Sequence, residues 1–177
     1  HRRGLVLDYS VADNLILGLH GKNPFVKHSL WRDDRAISEN AEHVIEQYDI
    51  RPPVASQHAR SLSGGNQQKI VVGREFTRDP RLLICAQPTR GVDVGAIEFI
   101  HQQVITQRDH GAAVLLVSAE LDEILSLSDR IAVMYDGQIV SVMSVDEVTE
   151  HKLGFLMLGG RLEDYEAGEV TSHAKED

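Results

Sequence analysis

The sequence predicts an α/β fold in which a mainly parallel core sheet follows a helical subdomain. Two short apolar runs, Leu82–Ala86 and Ala113–Val117, have the length and composition of strands that are buried on both faces. A helical pattern over 95–108 separates them, and the order strand, helix, strand favours a right-handed crossover between parallel strands. The helical subdomain that precedes them spans about 10–58.

Two amphipathic helices are predicted in the helical subdomain. The first covers 10–19 with Ser10 as its N-cap, and the second covers 33–48, where apolar residues recur at helical spacing. Phe25 and Trp31 also fall in this part of the chain. The sequence leaves open whether these two aromatic residues pack in a core or contact a partner protein.

The α/β core is predicted to span about 61–160. Besides the two apolar strands, it contains predicted helices over 64–77 and 120–127 and predicted strands over 131–135 and 138–142. The dipeptide Asp136-Gly137 between the last two strands predicts a hairpin. Ser144 and Glu147 form a capping box that predicts one more helix.

The last predicted segment, 161–177, is an acidic tail. Six acidic residues stand there against Arg161 and Lys175, which favours a disordered segment.

Composition excludes several classes of protein. The chain has 177 residues and a net charge of −9, which argues against a nucleic-acid partner because phosphate binding depends on Lys and Arg. Cys85 is the only cysteine, so an internal disulfide is excluded, a reducing cytosol is expected, and a packing role is favoured over a nucleophile. The nine histidines lack metal-ligand spacing, so no metal site is predicted.

Membrane association is expected to depend on a partner. We find no apolar run long enough to cross a bilayer and expect no secretory leader.

The most informative motif is the run Leu-Ser-Gly-Gly-Asn-Gln-Gln-Lys at 62–69. A serine and two glycines at a helix start leave backbone N–H groups unpaired at the positive end of the helix dipole, which favours an anion. Alone, Ser63, Gly64 and Gly65 favour a flexible loop before a helix, or an N-cap without a ligand. The setting favours the anion site, because a strand follows about twenty residues later and ends in Pro-Thr-Arg-Gly-Val-Asp at 88–93.

These motifs resemble the ATPase domains of ATP-binding-cassette (ABC) transporters. The run at 62–68 is similar to the signature motif, 82–93 to the Walker B strand and D-loop, and 115–124 to the switch strand with its helix. The pattern at 129–137 resembles the hairpin that closes the domain, and the order and spacing are those of the family. The resemblance implies a partial, P-loop NTPase-like ABC domain over 1–160.

Within the family, two sequence runs resemble importers for simple sugars and nucleosides. These are Gly-Gly-Asn-Gln-Gln-Lys at 64–69 and Pro-Thr-Arg-Gly-Val-Asp-Val-Gly-Ala at 88–96. Such importers typically fuse two ATPase domains in one chain. The run Ala-Gln-Pro-Thr-Arg-Gly at 86–91 most resembles the second domain of the nucleoside branch.

Three positions depart from the family's active domains. Where the family has an Asp that helps to hold Mg²⁺ and a Glu that polarises water, this chain has Ala86 and Gln87. The family's switch histidine corresponds to Ala119. A methyl group cannot bind a metal, and a neutral amide cannot take a proton, so no catalytic residue is expected in cis.

The phosphate loop of the family is also missing. No G-x-x-x-x-G-K-[ST] occurs in the sequence, and the resemblance places this loop upstream of the region that residues 1–4 resemble, so the chain is expected to lack its front part.

The resemblance implies an ATPase component that acts with a second ATPase domain. Ser63, Gly64, Gly65 and Asn66 would contact ATP that the partner domain holds together with Mg²⁺, and Asp93 of the D-loop would lie at the domain interface. No metal ligand is expected in this chain. The complete assembly would be the enzyme, and the fragment alone would not hydrolyse ATP.

The resemblance also implies partners and a location. The partner ATPase domain would be the missing N-terminal half of the same chain, and the helical subdomain would contact transmembrane permease subunits. A solute-binding protein outside the membrane would take part indirectly, and no nucleic acid would bind. The expected location is the cytoplasmic face of the bacterial cell membrane.

Two alternatives of other classes remain. The chain is also compatible with a non-catalytic regulatory or interaction module that uses the fold without nucleotide, since a fold does not determine function. A non-transport ABC protein in translation or repair is disfavoured by Thr89-Arg90-Gly91 and by the acidic balance.

Overall fold

A computed structural model of the chain describes residues 4–28 and 31–167. It contains two compact units, divided between Leu115 and Leu116. The elements that begin in the first unit are α1 (Val11–Leu15), β1 (Val26–Lys27), β2 (Trp31–Arg32), α2 (Asp34–Gln47), α3 (Gly64–Phe76), β3 (Leu82–Ala86), α4 (Val94–Asp109) and β4 (Ala113–Val117). Those of the second unit are α5 (Leu121–Leu127), β5 (Arg130–Tyr135), β6 (Gln138–Ser144), α6 (Glu150–Met157) and α7 (Leu162–Glu166).

The two predicted helices of the helical subdomain are present, with side-chain caps. The Ser10 hydroxyl accepts from the Asp13 N–H at 3.0 Å, and the Asp33 carboxylate accepts from the Ala36 N–H at 3.3 Å. Helix α1 ends earlier than predicted, and Gly18, shortly after it, adopts a φ of 82°, a conformation that favours glycine and breaks a helix.

The two aromatic residues of this subdomain have different environments. Phe25 is buried against Ile16 and Ile37, whereas Trp31 is 72% exposed. Phe25 is therefore a core residue, and among these two residues only Trp31 is available to a partner.

Helix α3 packs on both α1 and α2, so the helical subdomain and the start of the predicted core share one unit. The close approach depends on Gly73, where an added Cβ would lie 2.7 Å from Val44 Cγ1 and 3.2 Å from Tyr48 Cδ2. Tyr48 is buried between the helices. The predicted boundary between subdomain and core therefore does not coincide with the boundary between the two compact units.

Strands β3 and β4 form the predicted parallel pair, linked through α4. The prediction that both strands are buried on both faces is wrong. Leu83 and Cys85 are buried, but Leu82 and Ile84 are 59% and 62% exposed, and Leu115 is 52% exposed. An apolar run shows that both faces suit a core, but it does not show which elements cover them. In the described residues, one face of this sheet has no covering layer.

The second unit is built on the predicted hairpin. Strands β5 and β6 pair antiparallel, and Asp136 and Gly137 have φ values of 46° and 75°, as the tight turn between twisted strands requires. The unit has its own core of five buried residues, namely Ile131, Val133, Met143, Leu153 and Leu156. The Ser144 N–H donates to Glu147 at 3.1 Å, and a 3₁₀ turn over Val145–Glu147 separates this cap from α6.

The first residues of the predicted acidic tail are ordered, which corrects the prediction for that part. Leu162–Glu166 form helix α7, Leu162 packs against the core of the second unit, and the Tyr165 and Phe155 rings lie 5.8 Å apart. Leucine and tyrosine supply apolar area that a count of charges does not reveal. The remainder of the predicted tail, 168–177, lies outside the described residues. Across residues 4–28 and 31–167, we find no helix that combines the length and the apolar character needed to cross a membrane.

Candidate functional site

Ser63 is the N-cap of α3, a helix of 13 residues. Its backbone is extended, its side chain is exposed, and its hydroxyl oxygen accepts from the Asn66 N–H at 3.4 Å. Leu62, immediately before Ser63, is buried and holds the chain in place where α3 begins. The first N–H groups of α3 lack carbonyl partners within the helix, so this exposed end attracts an anion.

Gly65 brings the start of α3 into contact with the start of α4. A Cβ at Gly65 would lie 2.8 Å from Asp93 Oδ2 and 3.1 Å from Ala96 Cβ, so no larger residue fits without displacement. Asp93 caps α4, since its Oδ1 accepts from the Ala96 N–H at 2.9 Å. The structure thus brings together the predicted signature residues and the predicted D-loop aspartate. The small size of Gly65 leaves room for the Asp93 carboxylate beside the start of α3.

Asn66 connects this site to the turn after α2, a contact that the sequence did not reveal. Its Oδ1 accepts from the Arg51 backbone N–H at 2.7 Å, and its Nδ2 donates to Ser63 Oγ at 3.0 Å. Residues 51 and 66 are far apart in sequence, and a polar residue near a helix start gives no sign of a distant partner.

Lys69, one turn further along α3, binds the same turn. Its Nζ donates to the Asp49 carbonyl oxygen at 2.9 Å and lies 3.3 Å from Asp49 Oδ2. The ammonium group also lies 4.8 Å from the centroid of the Phe99 ring. Hydrogen bonds from Arg51 and then from Lys69 hold the pKa of Asp49 below its usual value. These contacts fix the first turns of α3 against the turn that follows α2.

The three positions that are predicted to depart from the family's active domains lie at the end of a strand or in the segment that follows one. Ala86 ends β3 and is exposed, and Gln87 follows it with a φ of 51°, an uncommon backbone conformation for glutamine. Ala119 is exposed in the second unit, between β4 and α5. Within the described residues, we find no group of three or more His, Cys, Asp or Glu side chains that could hold a metal ion.

Of the two ligands that the family resemblance implies, ATP and Mg²⁺, the residues of this chain fit a phosphate group of ATP better than the metal ion. The exposed, donor-rich start of α3 at Ser63 suits a phosphate group. The end of β3 does not suit Mg²⁺, because Ala86 and Gln87 supply no carboxylate. The residues at the end of β3 therefore do not form a Mg²⁺ site.

No family model matches the chain, but individual known proteins do. The guanosine import ATP-binding protein NupO of Bacillus subtilis is 50% identical over 159 residues, which are 90% of this chain and 31% of that protein. The nucleoside import ATP-binding protein NupA of Lactococcus lactis is 49% identical over 164 residues, or 93% of this chain and 32% of that protein. The chain belongs to the ATP-binding-cassette ATPases.

Solved structures agree with this assignment at the level of the fold. The cassette superimposes with a TM-score of 0.68 on a dimeric bacterial ABC transporter cassette, which is 20% identical, over 82% of this chain and 60% of that one. A dimer in a post-hydrolysis state, bound to ADP and Pi, gives a TM-score of 0.66 at the same identity over 80% and 59%. The ABC cassette described here spans about a third of the length of the curated relatives it matches.

Proposed function

We propose that this cassette supplies its signature motif to ATP held by a partner ATPase domain, as the ATP-binding component of an importer for nucleosides or simple sugars. The observation that carries the proposal is the exposed N-cap Ser63 at the start of α3, beside Gly65 and Asp93. The names of the relatives, which describe guanosine and nucleoside import, support the solute class.

The chemistry of this surface suits a γ-phosphate. Ser63, Gly64 and Gly65 offer a hydroxyl and backbone N–H groups at the positive end of a helix of 13 residues. Donors that are already oriented stabilise charge that develops on phosphoryl oxygens without reorganising during the reaction. Asp93 contributes at the same surface, because it caps α4 beside Gly65.

The site that would use this cassette's own core strand is proposed to be silent. Ala86 and Gln87 offer neither a metal ligand nor a base, and Ala119 offers no imidazole to sense a phosphate. One active and one silent site follow, so the complete assembly hydrolyses ATP while this fragment alone does not. Mg²⁺ and most of the ATP contacts would belong to the partner domain.

The partner domain is proposed to lie in the same longer polypeptide. One observation supports this proposal: the chain covers 31% of the length of NupO, so a relative of that length has room for a second ATPase domain. The exposed Trp31 suits contact with permease subunits, with a solute-binding protein acting indirectly. The corresponding location is the cytoplasmic face of the membrane.

The substitution Ser63→Arg tests the proposal in the complete transporter. The long side chain would fill the space at the start of α3, and ATP turnover by the assembly should fall at least about tenfold, since hydrogen bonds to charged groups are the strong ones. Gln102→Arg, on the exposed surface of α4, adds the same charge elsewhere and should leave turnover unchanged. Normal turnover by the Ser63→Arg assembly would reject the role in trans and favour a module that acts without nucleotide.

A further inference from the structure

The amide of Asn66 has a defined orientation, because one of its two neighbours is a backbone group. The Arg51 N–H can only donate, so the atom 2.7 Å from it must be the amide oxygen Oδ1. The amide nitrogen Nδ2 must then face Ser63 Oγ, at 3.0 Å, and donate to it.

Ser63 Oγ therefore accepts two hydrogen bonds, both from Asn66. One comes from the side-chain Nδ2 at 3.0 Å and the other from the backbone N–H at 3.4 Å. A serine hydroxyl has two acceptor lone pairs and one proton to donate. With both lone pairs engaged on the protein side, the proton is directed away from Asn66. Since the side chain of Ser63 is exposed, this direction leads to the surface where a ligand would bind.

We propose that Asn66 is a positioning residue that turns the Ser63 hydroxyl into a donor toward a phosphate oxygen. The proposal rests on the proposed function, since it needs Ser63 to bind phosphate. Asn66 itself is anchored by the Arg51 N–H, so the turn after α2 sets the direction in which Ser63 donates. Arg51 also forms an ion pair with Asp49, at 2.6 Å, and Asp49 forms a second ion pair with Lys69 of α3. The orientation therefore belongs to a connected set of contacts around the start of α3.

Asn66→Asp is the most direct test, because it changes one atom of the arrangement. The contact of Oδ1 with the Arg51 N–H is retained, but the second carboxylate oxygen accepts where Nδ2 donated. The Ser63 hydroxyl would then donate to the introduced carboxylate and would be unavailable to phosphate. In the complete transporter, ATP turnover should fall roughly 10- to 100-fold, the range for loss of a hydrogen bond to a charged group.

A second substitution separates orientation from added charge. Ser63→Gly removes the hydroxyl while keeping a residue that is tolerated at an N-cap. If Asn66 acts through Ser63, Asn66→Asp lowers turnover in the normal background but not further in the Ser63→Gly background. If Asn66→Asp acts by charge alone, the loss persists in both backgrounds and the proposal is overturned. Gln102→Glu, which adds the same charge on the exposed surface of α4, should cause much less loss than Asn66→Asp.

The outcomes distinguish this inference from the proposed function. If Ser63→Gly lowers turnover and Asn66→Asp does not, only the positioning role of Asn66 is overturned. If Ser63→Gly has normal turnover, the proposed function fails and the inference fails with it. Circular dichroism of each variant checks that its overall helical content is unchanged, and the ATP concentration dependence separates a loss of kcat from a rise in KM.

Discussion

At the scale of single residues, the buried side-chain amide of Asn14 fixes the conformation of the segment that precedes α1. Asn14 is fully buried, accepts from the Val6 N–H at 2.9 Å, and donates to the carbonyl oxygens of Val6, Tyr9 and Ser10. The backbone carbonyl oxygen of Asn14 accepts from the Arg74 guanidinium of α3 at 3.3 Å. A buried amide with satisfied partners specifies one conformation of the segment around it, because any other leaves polar groups unpaired.

Asn14→Ala should lower the free energy of unfolding by about 2–4 kcal/mol, since it leaves the part-buried Val6 N–H and carbonyl oxygen unpaired, and each unpaired group costs about 1–3 kcal/mol. Asn40→Ala, within α2, should be neutral or slightly stabilising because alanine favours a helix. Urea unfolding followed by circular dichroism measures both variants. Equal effects would contradict the role of Asn14.

Asp13 should make stability depend on pH. Burial raises the pKa of its carboxyl, but hydrogen bonds with Ser10 and Arg32, together with the Arg32 charge, outweigh this and hold the pKa below its ordinary value of 3.8. The unfolded chain therefore binds the proton more tightly than the folded one. The stabilisation is complete above about pH 5 and is lost as the pH falls through the lowered folded pKa.

The variant Asp13→Asn tests this dependence. Its free energy of unfolding should fall less steeply than that of the unchanged protein between about pH 5 and pH 3. Identical slopes, measured by urea unfolding at each pH, would contradict the contribution of Asp13.

At the scale of elements, the bounds of the longer helices are the part of the fold that the sequence predicted well. The predicted bounds of α2, α3 and α4 differ by at most one residue from those observed, because apolar residues recur at helical spacing along them. The exposed face of β3 was not predictable, because an apolar run does not show whether a second layer is present. The contact between Asn66 and Arg51 was not predictable either, since it depends on tertiary packing.

Packing between α2 and α3 should tolerate no side chain at Gly73. Gly73→Ala should destabilise the first unit by about 1–3 kcal/mol, because the new methyl group would collide with Val44. Gly154→Ala, in α6, meets no atom within 4 Å and should stabilise its helix by up to about 1 kcal/mol. Thermal melts compare the two variants. Stabilisation by both would show that α2 and α3 are not in close contact at Gly73.

At the scale of the whole molecule, one face of the β3–β4 sheet has no covering layer among the described residues. Leu82 and Ile84 of β3 and Leu115 of β4 expose apolar area that a folded protein normally buries. Structural relatives are longer, since this chain covers about 60% of the dimeric cassette it resembles. The additional part of such a cassette would supply the missing layer.

Ile84→Lys should therefore impair assembly of the complete ATPase, because it places a charge where an apolar contact is expected. Leu158→Lys, at the exposed end of α6, is the matched control and should assemble normally. Size-exclusion chromatography of the complete transporter measures assembly. Normal assembly of the Ile84→Lys variant would show that this face stays open.

The structure of the complete assembly, trapped with a non-hydrolysable ATP analogue, tests the role of Ser63 most directly. We expect the Ser63 hydroxyl about 3 Å from an oxygen of the γ-phosphate, while the partner domain's phosphate loop holds the same nucleotide. A closed assembly with Ser63 beyond hydrogen-bond distance of every phosphate oxygen would contradict it.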